Sequence, residues 1–70
     1  MEKNYKENFA KNLKYLLGDL SVNEFSKRIG IPQQTISRYL NCQREITLGN
    51  LCKIADYFNE DIDSLLGRKV

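Results

Sequence analysis

The sequence predicts an all-α protein built from five short helices. Three observations predict it. Apolar residues recur at helical spacing along most of the chain, and no stretch sustains the two-residue alternation of a strand. Residues suited to open a helix precede the periodic segments: Asn4, Ser21, Pro32, Thr47 and Asp61. The single proline and the four glycines fall mostly between segments. With 70 residues the chain holds one domain, 1–70, and every helix must add apolar surface to a small core.

The first helix is expected over about Tyr5 to Leu17. Phe9, Leu13, Leu16 and Leu17 share one face. Asn4 with Glu7 suits its start, and Gly18-Asp19 its end. The second helix has a sharper signature. In Ser21-Val22-Asn23-Glu24 the Ser21 hydroxyl can accept from the Glu24 amide. Leu20 can act as a staple against Phe25, and Val22, Phe25 and Ile29 form the apolar stripe. Gly30 stands where a left-handed C-terminal residue is needed.

Ile31-Pro32 opens the third helix, because a proline in the first turn loses no helical hydrogen bond. It runs to Leu40 or Asn41. Gln33, Gln34, Ser37, Arg38 and Asn41 lie on one side, with Ile36, Tyr39 and Leu40 opposite. Thr47 caps a fourth helix, Leu48 to Phe58, with Leu48, Leu51, Cys52, Ala55 and Phe58 as its buried stripe. Asn59 ends it. Asp61 starts a fifth helix, Ile62 to Leu66, closed by Gly67, and Arg68-Lys69-Val70 is expected to fray.

Composition narrows the function. The chain has no histidine, no phosphate-cradling glycine loop and no nucleophile–base pair at a recognisable spacing, so catalysis is not expected. Cys42 and Cys52 lack the partners of a zinc site, and no metal or cofactor is expected. Cys52 reads as a small core residue and Cys42 as an exposed thiol after a helix end. No apolar run spans a bilayer, and Met1 to Lys6 is too polar for a secretory signal, so a cytoplasmic location is expected without membrane or small-molecule partners. Net charge is only +2, but it is unevenly spread. Lys27, Arg28, Arg38 and Arg44 occur with no acidic residue among them, whereas Asp56, Glu60, Asp61 and Asp63 follow with no basic one. One end of the molecule therefore suits a polyanion.

Two short helices joined by a tight glycine turn, the second with a polar outer face, describe a helix-turn-helix. A helix seated in the major groove must hydrogen-bond to base edges. A glutamine amide matches adenine N6 and N7, and an arginine fork matches guanine O6 and N7. Gln33, Gln34 and Arg38 supply that chemistry on one face. Two glutamines and an arginine are also ordinary on a solvated helix. Their place after the Ser21–Gly30 unit gives them weight.

The segment SVNEFSKRIGIPQQTISRYLNCQR, residues 21–44, resembles the Cro/C1-type helix-turn-helix family, which includes lambda-type repressors. TLGNLCKIADYFNEDIDSLLG resembles the family's usual ending, and the likeness covers roughly residues 9–67. The resemblance implies a compact five-helix, lambda-repressor-like fold. It implies base reading by Gln33, Gln34, Ser37 and Arg38. It also implies phosphate contacts from the backbone around Val22 and from the loop of Asn41, Gln43 and Arg44. Three departures stand out. Val22 replaces a frequent glutamine, Cys42 replaces the usual glycine after Asn41, and Leu17 with Leu40 replaces a buried arginine–glutamate pair. Coupled loss of both charges predicts that Leu17 and Leu40 touch, since losing one partner alone is costly.

The expected function is that of a transcriptional regulator, most simply a repressor, binding double-stranded DNA as a homodimer. One short helix reads too few base pairs alone, so a pseudo-palindromic site is expected. The alternative is a protein-interaction module that keeps the fold while DNA binding is lost or secondary, with the acidic C-terminal region as its docking face.

Overall fold

The computed structural model describes residues 4–68. Five helices follow in order: α1 (Tyr5–Leu17), α2 (Val22–Ile29), α3 (Gln33–Leu40), α4 (Leu48–Phe58) and α5 (Ile62–Leu66). No strand occurs among the described residues. Local chemistry sets most of the boundaries. The Asn4 side chain accepts from the Glu7 N–H, Ser21 from Glu24 and Thr47 from Asn50. Each bond satisfies an N–H that the helix cannot pair internally. Gly30 and Asn59 end α2 and α4 in the left-handed region, with φ of 79° and 55°. Pro32 stands one position earlier than expected, at the N-cap of α3. Its ψ of 141° is extended, so the helix begins only at Gln33.

One core joins the helices. α1 supplies Phe9, Leu13 and Leu17, α2 supplies Phe25, and the following turn supplies Ile31. α3 adds Ile36 and Tyr39, α4 adds Leu51, Ile54 and Ala55, and α5 adds Leu65. Leu40 and Leu20 pack on this cluster from its edge. α1 rests against both α3 and α5, and α2 rests against α3 and α4. Phe25 stacks on Phe58 with ring centroids 5.5 Å apart, while Tyr57 meets both rings edge-on.

The buried face of α4 differs from the expected stripe. Leu51, Ile54 and Ala55 are buried and Phe58 is half-buried, but Leu48 is 80% exposed and Cys52 is exposed. Leu48 is the first residue of α4, and it is not among the residues packed on the core. Cys52 lies about 100° round the helix from Leu51, turned away from the core arc. It is therefore a surface thiol, while Cys42 is half-buried.

α1 and α5 are joined by two asparagines on α1. The Asn8 Nδ2 donates to the Leu66 carbonyl at 3.2 Å. The Asn12 Nδ2 donates to the Ser64 and Leu65 carbonyls at 3.1 and 2.9 Å. These carbonyls lie at the C-terminal end of α5, where a helix leaves its last carbonyls short of partners; that of Ser64 also accepts from the Gly67 N–H at 3.2 Å. Of the tail expected to fray, Lys69 and Val70 lie outside the described residues. Arg68 is held: its N–H donates to the Asp63 carbonyl at 2.8 Å, and its guanidinium lies 5.7 Å from the Tyr5 ring centroid.

Candidate nucleic-acid interface

The site is built from α2, the turn after it and α3. Gly30 reverses the chain, and its left-handed conformation is open to glycine at little cost. The Ser26 hydroxyl then donates to the Ile31 carbonyl at 2.7 Å, tying the turn back onto α2. Ile31 itself is buried and anchors the turn in the core. The angle between the two helices is thereby fixed from both sides.

α3 is divided into an inner and an outer side. Ile36 and Tyr39 are fully buried. The Tyr39 ring meets Phe9 edge-on at 6.1 Å, and its hydroxyl accepts from the Asn50 Nδ2 at 2.9 Å. A buried phenol is thus satisfied, and the inner side of α3 is bolted to both α1 and α4. On the outer side Gln33, Gln34 and Arg38 are exposed, and Ser37 is half-buried between them and the core. Thus three of the four base-reading candidates stand in solvent, and Ser37 sits deeper.

The loop after α3 is shaped by a paired C-terminal cap. The Gln43 N–H donates to the Arg38 carbonyl at 2.8 Å, and the Cys42 N–H donates to the Tyr39 carbonyl at 3.1 Å. This arrangement requires a left-handed residue between them. Cys42 is that residue, with φ of 59°. It adopts the conformation of the glycine it replaces in the family pattern. Asn41, Gln43 and Arg44 are exposed on this loop. Val22 is half-buried and packs on the core, so only its backbone at the start of α2 faces outward.

The basic residues of this stretch are all exposed. Lys27 and Arg28 are exposed in the last turn of α2, and Arg38 and Arg44 are exposed beyond it. Arg28 is held above its ordinary pKa first by a hydrogen bond to Tyr57, then by Glu24, whose carboxylate lies 3.5 Å away.

Two further residues bear on this surface: Asn50, which holds α3 from behind, and Lys6, which borders the loop. Nothing local marks Asn50, since its partner Tyr39 is on another helix. Lys6 carried a signal: a cation in the first turn of a helix opposes the backbone dipole.

Among the described residues no helix is long and apolar enough to cross a membrane. No curated protein and no solved structure gives a significant match to the chain. The family model described as helix-turn-helix matches residues 13–65, which include α2, the turn, α3, α4 and most of α5. The chain belongs to the Cro/C1-type helix-turn-helix family of DNA-binding regulators.

Proposed function

We propose that the protein is a sequence-specific regulator of transcription, acting as a repressor by seating α3 in the major groove of a pseudo-palindromic operator as a homodimer. The supporting observation is the two-sided character of α3. Its inner side is fixed by Ile36, Tyr39 and the Asn50 bond, and its outer side offers Gln33, Gln34 and Arg38 to solvent. A rigid helix carrying side chains that match base edges is what direct readout requires. Ser37 completes this base-reading face. Asn41, Gln43, Arg44 and the amides at Val22 hold phosphates to either side, which fixes register without reading sequence. The whole chain acts as one such domain in the cytoplasm, and its role is binding and not catalysis.

Selection of bound duplexes from a random pool tests this reading. An enriched palindrome is expected from the native protein. Gln34→Ala and Arg38→Ala should each relax preference at one position per half-site, costing about 1–3 kcal/mol. Enrichment that is unchanged in both variants would remove the base-reading assignment. Absence of any duplex binding would instead favour a protein-interaction role.

A further inference from the structure

A cleft of about 470 Å³ opens between the first turn of α1 and the loop joining α3 to α4. Its floor is apolar, with Phe9, Ile46 and Leu51. Its rim carries Lys6 from α1, and Arg44 and Glu45 from the loop. The two walls are in contact, since the Cys42 Sγ lies 3.9 Å from the Lys6 carbonyl oxygen. Lys6 and Arg44 are both exposed. Among the described residues the ion pairs are Arg28–Glu24 and Arg68–Asp63, so no described carboxylate engages either rim cation. Arg68 reaches the same corner over Tyr5, but Asp63 already offsets its charge.

The position of Lys6 is unfavourable for the helix that carries it. It lies in the first turn of α1, where the backbone dipole disfavours a cation. Its exposed head gains nothing there from burial. An anion brought to the cleft mouth by Arg44 would reverse that balance. A lysine stem can lie along the apolar floor while its ammonium stays at the rim.

We infer that Lys6 is a further contact to the DNA phosphate backbone, so that the interface continues past the α3–α4 loop onto the first turn of α1. This rests on the reading above, in which Arg44 holds a phosphate. Glu45 on the same rim opposes the contact and moderates it.

Duplex affinity measured across a salt series tests the inference, with both a selected operator and an unrelated duplex as probes. Phosphate contacts carry no sequence information, so both duplexes should respond alike. Lys6→Gln should weaken binding about fivefold near ~0.15 M salt and lower the log–log salt slope by about 0.9. Glu45→Gln should tighten binding. Lys11→Gln removes the same charge from an exposed position on α1 that does not line the cleft, and it should change neither quantity. Thermal melting of Lys6→Gln should match or exceed the native protein, because the helix loses an unfavourable charge. Native affinity and slope in Lys6→Gln, or an equal loss in Lys11→Gln, would overturn the inference. If Arg44→Gln weakens binding while Lys6→Gln does not, only the Lys6 contact falls. If the native protein binds neither duplex, the DNA-binding reading falls with it.

Discussion

Cys42 shows how one residue trades stability for a loop shape. The paired cap at the end of α3 requires a left-handed backbone, and Cys42 adopts it with φ of 59°. For a residue with a Cβ this conformation costs roughly 1–2 kcal/mol. Cys42→Gly should therefore raise the stability of the protein by about 1 kcal/mol, read by urea denaturation with an unchanged m-value. A loss of stability would show that the thiol packing against Lys6 outweighs the backbone strain. Tyr39 makes the opposite kind of contribution. Its hydroxyl is buried and paired with Asn50. Tyr39→Phe leaves the Asn50 amide without that acceptor and should cost about 1 kcal/mol in the same assay.

Helix by helix, the sequence is legible where the chemistry is local. Asn4, Ser21 and Thr47 cap as their side chains suggest, because donor and acceptor lie three residues apart. The left-handed ends at Gly30 and Asn59 are local in the same sense. The exposed outer face of α3 is legible because Ile36 and Tyr39 define its inner side by spacing alone. What resisted reading depends on neighbours distant in sequence. Leu48 and Cys52 looked buried because α4 is apolar on more than one side, and only the placement of the other helices decides which side is covered. The bonds from Asn8 and Asn12 to α5 span 52 to 58 residues, beyond any local pattern. Removing one of them gives a prediction for these elements. Asn12→Ala should destabilise the protein by about 1–2 kcal/mol and raise amide exchange first in α5.

The expected contact between Leu17 and Leu40 also belongs to the elements, since it would join α1 to α3. Leu17 is in the core and Leu40 packs on its edge. If the two touch, a double-mutant cycle of Leu17→Ala and Leu40→Ala should show coupling of about 0.5 kcal/mol or more. Strictly additive losses would separate them, and with them the idea that a charge pair was replaced as a unit.

For the molecule as a whole, size bears on how two copies would meet DNA. Half-sites one helical turn apart place recognition helices about 34 Å from each other. The principal extents of the described chain are 36 × 24 × 23 Å. Two copies on adjacent turns would thus meet readily with their long dimension along the duplex, and less readily with a short one. Sedimentation with and without operator should show a dimer on DNA. A weak free dimer would appear as cooperative binding with no intermediate of one copy per site.

The clasp made by Asn8 and Asn12 has a consequence for how the protein is made on the ribosome. α3 rests on α1, and α1 in turn is covered by α5. Synthesis completes the helix-turn-helix well before α5 is available, yet the helix on which α3 rests still lacks its last neighbour. A nascent chain ending near residue 60 should be protease-sensitive and unable to hold a duplex, even though every proposed DNA-contacting residue has already been added. On the proposed reading, α3 is translated before α5 and should hold a duplex only once α5 has folded against α1.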